Sequence, residues 1–182
     1  MLQRTLNKKQ KIFLFILLFI FFSWFASLVF VKFLGFRINL TKSIPLGIYK
    51  LETNAQIKKD DYVEFCLDEK LSKIAYINGY INDGSCWGRY EALAKKIIAV
   101  PNDIVSVENN YIEVNGQKYN QYKQKLYSQS GNKANLIHYE NKVIQGYFMV
   151  GDSDVINSWD SRYYGEIPKD NIRGVLIPKW TW

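Results

Sequence analysis

The sequence predicts a mainly β domain that follows one N-terminal transmembrane helix. Short stretches rich in β-branched and aromatic residues, each bounded by Asn, Gly, Asp or Pro, are typical of strands. They cover residues 62–66, 104–107, 111–114, 147–150 and 175–177. An uncharged apolar run precedes them. These patterns predict three parts: an N-terminal tail at residues 1–11, an anchor at residues 12–34 and one folded domain at residues 35–182.

The apolar run is long enough to cross a membrane. Residues 12–31 carry no charge and are interrupted only by Ser23 and Ser27, and a helix of that length spans about 30 Å of hydrocarbon. A cleaved signal peptide is the alternative, but its apolar region is shorter, and no clear small-x-small cleavage site follows this run. Basic residues flank both ends, so the positive-inside bias is slight. We expect the N terminus inside and the folded domain outside.

The net charge of +7 comes entirely from residues 1–42, which contain the apolar run and the residues on either side of it. Residues 43–182 hold basic and acidic side chains in equal number, 17 of each. The remaining basic side chains, with no acidic one among them, are Arg4, Lys8, Lys9, Lys11, Lys32, Arg37 and Lys42. Binding to a phosphate backbone needs a basic excess in the folded part. The sequence therefore argues against a nucleic-acid partner, and the apolar run predicts contact with the lipid bilayer.

Two segments of the predicted domain connect its strands. Residues 105–116 have the pattern of a hairpin that turns at Asn109 and Asn110, since asparagine tolerates positive φ. Residues 120–141 are polar and show no convincing period. We expect them to form a long, irregular surface segment.

The chain has two cysteines, Cys66 and Cys86, both in the part expected outside the membrane. In an oxidising compartment a disulfide is the simplest interpretation. By the loop-entropy model, such a bridge would add roughly 3 kcal/mol to the free energy of unfolding. Two unpaired small apolar side chains are the alternative. A metal site is poorly supported, because two isolated cysteines and the single His138 do not form ligand-spaced pairs.

Residues 41–49 place a candidate serine nucleophile shortly after the apolar run. Pro45 restricts the residue before it to extended geometry, and Gly47 permits backbone angles that other residues avoid. Ser43 should therefore lie at the edge of a fixed turn. An ordinary loop rich in turn-forming residues is the alternative.

A serine nucleophile needs a base, and the only histidine, His138, lies in the irregular polar segment. The alternative base is a lysine kept neutral by burial. Residues 93–100 place Lys95 and Lys96 within an apolar run that has the pattern of a strand. Neighbours on a strand point to opposite faces, so one lysine should be buried with a lowered pKa. An edge strand with both lysines reaching solvent is the alternative.

A third segment, residues 149–165, runs from a predicted strand into a dense polar loop. Asp160 and Arg162 are placed to pair and brace the loop, and Ser158 can aim its hydroxyl at a neighbouring base. A structural turn rich in Asp and Asn is the alternative.

In this order behind one anchor, the three segments resemble the type I signal peptidases, membrane-bound serine peptidases with a Ser/Lys dyad. Ser43-Ile-Pro resembles the box with the nucleophile, residues 94–105 the lysine box, and Gly151-Asp with residues 157–162 the final box. The resemblance is closer to the conjugative-transfer signal peptidases of the TraF type. Their hallmarks are the Thr-x-Ser-x-Pro-x-Gly-x-Tyr pattern, as in residues 41–49, and a cysteine pair before the lysine. Residues 117–142 match least.

The resemblance implies a signal-peptidase-like β domain with Ser43 as nucleophile and Lys95 as general base. Thr41 falls where signal peptidases place a hydroxyl donor to the oxyanion, beside the backbone amide of Ser43 itself. No cofactor and no metal are implied.

The resemblance also implies three supporting roles. Ser158 would orient the Lys95 amine, Asp160 corresponds to an acidic residue that the TraF type needs for activity, and Arg162 would brace it. A disulfide between Cys66 and Cys86 agrees with the cysteine hallmark.

The chain departs from the family pattern in two places. Asn102 stands where the family usually has glycine after the proline, and asparagine also accepts left-handed angles. Between Gly151 and Ser158 the sequence differs from the general signal-peptidase pattern, which weakens any role for Asp152 or Asp154.

The implied reaction is acyl transfer on the periplasmic side of the bacterial inner membrane. Neutral Lys95 would take the Ser43 proton, and the alkoxide would attack a carbonyl flanked by small residues. Water would then complete hydrolysis, whereas the TraF-type precedent is processing of a conjugative pilin in which an amine attacks the acyl-enzyme and gives a cyclic product. Two alternatives stay open: a general signal peptidase acting on exported preproteins, and a non-catalytic assembly protein of the secretion apparatus.

Overall fold

The computed structural model describes residues 7–108, 111–124, 136–152 and 158–182. The chain divides into two compact units, Met1–Arg37 and Ile38–Trp182. The helices are α1 (Lys8–Phe33), α2 (Glu69–Ile77) and α3 (Ser161–Tyr164). The strands are β1 (Phe36–Asn39), β2 (Gly47–Glu52), β3 (Tyr62–Phe65), β4 (Leu93–Ala99), β5 (Ile104–Glu108), β6 (Tyr111–Val114), β7 (Gln117–Tyr119), β8 (Tyr139–Val143), β9 (Phe148–Val150) and β10 (Ile172–Thr181). The predicted fold class, mainly β with an N-terminal apolar helix, is confirmed.

Helix α1 is one continuous helix that contains nearly all of the predicted anchor. It begins with a reciprocal cap, in which the Asn7 amide donates to Gln10 Oε1 and the Gln10 amide donates to Asn7 Oδ1, both at 2.9 Å. The span Lys8–Ser27 is long and apolar enough to cross a membrane. The hydroxyl of Ser27 donates to the Trp24 carbonyl at 2.7 Å, so this polar group is satisfied inside the helix.

The strands form two sheets in the described part of the chain. A six-stranded sheet has the order β1-β2-β10-β3-β4-β9, and a four-stranded sheet has the order β7-β6-β5-β8. The pairs β2–β10, β10–β3, β3–β4 and β4–β9 are antiparallel. Strand β4, which contains the two lysines, therefore lies between β3 and β9.

Strands β4 and β9 contribute to the core on both of their faces. Because successive side chains on a strand alternate, Ile97 and Met149 enter one buried cluster and Ile98 and Phe148 enter another. The first cluster also contains Ala75 of α2, and the second contains the inward side chains of β5 and β6. The four-stranded sheet thus packs over one face of β4 and β9, and α2 packs over the other.

The five predicted strands are present as β3, β5, β6, β9 and the central part of β10, and the lysine-containing run forms β4. The sequence analysis did not predict α2, α3 or the short strands β1, β2, β7 and β8. Helix α2 begins at Glu69 and is capped by Asp68, whose side chain accepts from the Leu71 amide at 2.8 Å. A capping residue followed by apolar residues at helical spacing is a sequence pattern that could have predicted this helix.

Two predicted connections are described only in part. Strands β5 and β6 form the expected antiparallel hairpin, with Glu108 opposite Tyr111, but its turn at Asn109 and Asn110 lies outside the described residues. The segment predicted to be irregular, residues 120–141, is described at its two ends. Its last residues belong to β8, which pairs with β5.

The Cys66–Cys86 disulfide is present, with the two Cα atoms 5.7 Å apart. This distance lies within the usual range for disulfides. The bridge joins the residue after β3 to the residue before a short 3₁₀ turn, Trp87–Arg89. It closes a loop that contains α2.

The turn between β4 and β5 explains the departure at Asn102. Its φ is 76°, in the left-handed region that glycine adopts without strain and asparagine tolerates. The Asn102 amide donates to the Ile144 carbonyl at 2.9 Å, which holds the turn to the segment after β8.

Candidate active site

Ser43 lies in a turn between β1 and β2 that is organised by one asparagine side chain. Asn39 Nδ2 donates to the carbonyls of Thr41, Ile44 and Pro45 at 2.7, 3.0 and 3.1 Å. Three carbonyls converging on one amide fix the backbone on both sides of Ser43. The sequence analysis missed Asn39, because nothing in the pattern marks an asparagine four residues before a serine as a turn organiser.

The same turn is tied to the folded domain by three further contacts. The Tyr49 hydroxyl donates to the Pro45 carbonyl at 2.6 Å, and the Asp152 amide donates to the Ser43 carbonyl at 2.9 Å. A side chain at Gly47 would collide with the backbone carbonyl of Trp180 on β10, so β2 and β10 approach closely only because this residue is glycine. The serine is therefore mounted on a braced turn, as the Pro and Gly pattern predicts.

Lys95 on β4 brings its amine to Ser43. Its Nζ lies 2.8 Å from Ser43 Oγ and 3.1 Å from Ser158 Oγ, and the residue is 3% exposed. Lys95 pairs with Val63 of β3 and shares a face with Ile97. Its stem is therefore enclosed by the core, and only its amine meets polar groups.

Ser158 is the second hydroxyl within hydrogen-bond distance of the Lys95 amine. A hydroxyl has one proton to donate, and Ser158 donates it to Asp160 Oδ2 at 2.9 Å. Ser158 Oγ must then accept from Lys95, which uses one N–H of the amine. A neutral Lys95 has a lone pair that can accept the proton of the Ser43 hydroxyl, whose Oγ lies 2.8 Å away. A side chain at Gly151 would overlap the Ser158 hydroxyl, so this glycine is required for the approach.

Asp160 and Arg162 form a buried ion pair behind Ser158. Arg162 Nε donates to Asp160 Oδ1 and Arg162 Nη2 donates to Asp160 Oδ2, both at 2.7 Å. The Gly151 amide also donates to Asp160 Oδ2, at 2.9 Å, and Arg162 Nη1 donates to the Lys123 carbonyl at 2.9 Å. A bidentate pair with its remaining donors and acceptors satisfied fixes the geometry of residues 158–162.

The electrostatic surroundings favour the neutral form of Lys95. The pKa of Lys95 is lowered from 10.5 to about 8, chiefly by burial; Asp160 acts in the opposite direction, and Arg162 also lowers the pKa. Because Arg162 is bound directly to Asp160, it offsets much of the field with which the carboxylate would stabilise an ammonium. The amine can therefore lose its proton at mildly alkaline pH.

The neighbouring Lys96 points away from the dyad, as strand alternation predicts. Its Nζ lies 2.8 Å from Asp60 Oδ1, and this hydrogen bond raises the pKa of Lys96. His138 pairs instead with Glu108 of β5, with 3.6 Å between Nδ1 and Oε1. Of the basic side chains proposed from the sequence, Lys95 is the one beside Ser43.

Thr41 was predicted to direct its hydroxyl at the oxyanion, but in this structure the hydroxyl has a different partner. Its hydroxyl donates to Asn39 Oδ1 at 2.8 Å, and its amide donates to the same atom at 3.2 Å. Among the described residues, no group of three His, Cys, Asp or Glu side chains is placed to hold a metal ion.

Comparison with known proteins identifies the family. Residues 7–181 match the family model described as "Signal peptidase, peptidase S26". The chain therefore belongs to the signal peptidase family, peptidase S26, and the resemblance to type I signal peptidases is confirmed. Members of this family are serine peptidases and are typically membrane-associated, which agrees with the apolar helix α1.

The chain is also similar to plasmid transfer proteins. It is 31% identical over 156 residues to a plasmid transfer protein TraF of Escherichia coli, covering 81% of this chain and 84% of that protein. It is 26% identical over 150 residues to a conjugal transfer protein TraF of Agrobacterium fabrum, with the same coverage. A crystal structure of a signal peptidase I from Enterococcus faecalis V583 matches with a TM-score of 0.38 and 20% identity, covering 66% of this chain and 97% of that one. The two TraF relatives confirm the similarity to the TraF type.

Proposed function

We propose that the chain is a membrane-anchored serine endopeptidase with a Ser43/Lys95 dyad that processes a conjugative pilin or a related secretion-system precursor. The observation that carries this proposal is the 2.8 Å contact between Lys95 Nζ and Ser43 Oγ in a buried site. The conjugal transfer names of its relatives support the substrate class.

The first chemical step is formation of the acyl-enzyme. Neutral Lys95 takes the proton of Ser43, whose Oγ attacks the carbonyl carbon of the scissile peptide bond. The resulting Lys95 ammonium then gives its proton to the leaving amine, so the base returns to the neutral form. Ser158 holds the amine in place through both transfers, and the Asp160–Arg162 pair holds Ser158.

The developing oxyanion needs donors, and we assign the Ser43 amide and the Thr41 hydroxyl to it. Thr41 would exchange its hydrogen bond to Asn39 for one to the oxyanion, a rotation of one side chain. A donor aimed at charge that appears only in the transition state contributes about 3 kcal/mol in other acyl-transfer enzymes.

Two nucleophiles can release the acyl group from Ser43. Attack by water gives a linear product and a free carboxylate. Attack by an amine of the same substrate chain gives a cyclic peptide, which is lighter than the linear product by one water. Both routes use Lys95 as the base that removes the proton from the incoming group.

The proposed location is the bacterial inner membrane, with the folded domain on the periplasmic side. In the proposed topology residues 1–11 are cytoplasmic, residues 12–34 span the bacterial inner membrane, and residues 35–182 form the catalytic domain on the periplasmic side. The Cys66–Cys86 disulfide supports this side, since disulfides persist in the periplasm and are rare in the cytosol.

Mass spectrometry of a co-expressed pilin precursor tests the activity, the cleavage site and the product topology together. We expect a shortened product with the wild-type chain and an unprocessed precursor with Ser43→Ala. Identical masses in the two strains would contradict a peptidase role and favour the non-catalytic assembly protein.

A general signal peptidase remains the second candidate, because the family model that matches the chain is named for signal peptidases. Such an enzyme would use the same dyad on many exported preproteins. Rescue of a strain depleted of its own general signal peptidase would favour this candidate, and failure to rescue, together with pilin processing, would favour the first.

A further inference from the structure

A pocket of about 160 Å³ opens beside Ser43. Its wall includes Ser43, Pro45, Tyr62, Lys96, Tyr122 and Asp152. At about 30 Å³ for each liquid water, this is room for roughly five waters or one side chain of moderate size. Ser43 forms part of the wall, so the pocket borders the turn that carries the candidate nucleophile.

Lys96 and Asp152 bring opposite charges to this pocket. Lys96 uses one donor on Asp60, and an ammonium has three, so two remain for another partner. A carboxylate accepts at up to about four positions, so Asp152 can bind an occupant beside its other contacts.

Tyr122 lines the same pocket, is 9% exposed and lies within electrostatic reach of both charges. Burial raises the pKa of Tyr122, Lys96 lowers it and Asp152 raises it. Both charges therefore act on the Tyr122 hydroxyl, and that hydroxyl stays protonated and able to donate.

The mixture of charges restricts what can occupy the space. An acidic occupant would meet Asp152, and a basic occupant would meet Lys96. A leucine side chain would fit by volume, but it would take water from polar groups and give no hydrogen bond in return. A carboxamide carries an acceptor oxygen and two N–H donors, so it can satisfy groups of both signs.

We propose that this pocket binds an asparagine or glutamine side chain of the substrate, next to the scissile bond. The carboxamide oxygen accepts from Lys96 and Tyr122, and the carboxamide nitrogen donates to Asp152. The inference rests on the proposed function, because it takes Ser43 as the nucleophile. The family resemblance implies small substrate residues around the scissile carbonyl, and the proposed pocket adds a preference for one polar side chain.

Cleavage of a pooled peptide library by the full chain in detergent micelles tests this specificity, with products sequenced by mass spectrometry. At one position beside the cleaved bond, we expect Asn and Gln to exceed Leu, Asp and Lys by about tenfold, the effect of one or two hydrogen bonds. Lys96→Met and Tyr122→Phe should each reduce this preference to about twofold or less. Lys118→Met, the same change at an exposed strand lysine, should retain it.

The outcomes separate the two proposals. Cleavage that depends on Ser43 but shows no amide preference overturns the specificity and leaves the peptidase role intact. No cleavage of any peptide, by wild type or variant, counts against the peptidase role, and a binding measurement then decides the specificity.

That measurement uses the Ser43→Ala chain and three probes: N-acetyl-asparagine methylamide and its leucine and aspartate analogues. The protein carries ¹³C-labelled tyrosine, and NMR follows the ring resonance of Tyr122. This resonance is the one that disappears in the Tyr122→Phe variant. We expect the asparagine probe to shift this resonance at concentrations about tenfold lower than either analogue does. Equal shifts from the three probes, or no shift, would overturn the proposal.

Discussion

Tyr80 stacks face to face on Trp159, with ring centroids 5.4 Å apart and ring planes at 6°. Trp159 also contacts Tyr164 edge to face, at 4.9 Å. Tyr80 belongs to the loop that the disulfide closes, whereas Trp159 stands between Ser158 and Asp160 in the sequence. The stack therefore connects the disulfide-closed loop to the polar network around the proposed base.

Tyr80→Leu should lower kcat by several-fold and the free energy of unfolding by about 1 kcal/mol, because it keeps an apolar contact but loses the stacked ring. If the ring positions Ser158 and Asp160, the pH midpoint of kcat should also move, which a simple loss of stability would not cause. Enzyme kinetics across pH and urea unfolding measure both effects. The matched control is Tyr76→Leu, in the same loop, where Tyr76 contacts Tyr90 instead. Equal kinetic effects in the two variants would contradict the connection.

The two adjacent lysines should respond differently to the same substitution. Lys95→Met removes the base and keeps most of the stem, so processing should fall by roughly a thousandfold or more while the protein still folds. Lys96→Met leaves the dyad intact and should retain measurable turnover. Product formation from a pilin precursor, with circular dichroism as the check on folding, distinguishes them. An inactive Lys96 variant beside an active Lys95 variant would reassign the base.

The activity should rise with pH, because only neutral Lys95 can accept the Ser43 proton. With the pKa of Lys95 lowered to about 8, kcat/KM for the free enzyme should reach half of its maximum near pH 8. An unperturbed lysine would place the midpoint near 10.4. A midpoint at that value would show that Lys95 is solvated in the active protein.

The same shift makes stability depend on pH. Between pH 8 and about 10.5 the unfolded chain holds a proton on Lys95 that the folded chain has lost, so stability rises with pH through this window. The rise amounts to at most about 3 kcal/mol, and it should be missing from Lys95→Met. Urea unfolding of the wild type and the variant at several pH values measures it.

The strand pattern was enough to predict the mainly β fold. Of the side chains that the family resemblance proposed for the site, five meet in the structure: Ser43, Lys95, Ser158, Asp160 and Arg162. Alternation along β4 required one lysine to be buried, but only the family resemblance selected Lys95 over Lys96. The register of β3 against β4, with Val63 opposite Lys95, is a tertiary fact that local patterns do not contain. It determines which lysine meets Ser43.

Other features were not predicted, because no periodic pattern in the sequence indicates them. The side chain of Asn39 organises the Ser43 turn through three carbonyls that only the folded turn brings together. The stack of Tyr80 on Trp159 joins residues far apart in the chain. Short strands such as β7, with three residues, were missed because so few residues show no measurable alternation.

Removing either member of the Asp160–Arg162 pair should move the pH midpoint of activity in opposite directions. Asp160 raises the pKa of Lys95 and Arg162 lowers it. Asp160→Asn should therefore shift the midpoint of kcat/KM below that of the wild type, and Arg162→Gln should shift it above. The measurement is the pH profile of each variant, normalised to its own maximum so that a lower folded fraction does not distort it.

Both single variants should also lose about 3 to 5 kcal/mol of stability, because each leaves a buried charge without its partner. The double variant Asp160→Asn/Arg162→Gln removes both charges, so its midpoint should return toward that of the wild type and its stability should exceed that of either single variant. Its maximal rate should stay low, since Ser158 loses the carboxylate that accepts its proton. Midpoints that move in the same direction in the two single variants would contradict a direct electrostatic action on Lys95, and would leave the pair a purely structural brace.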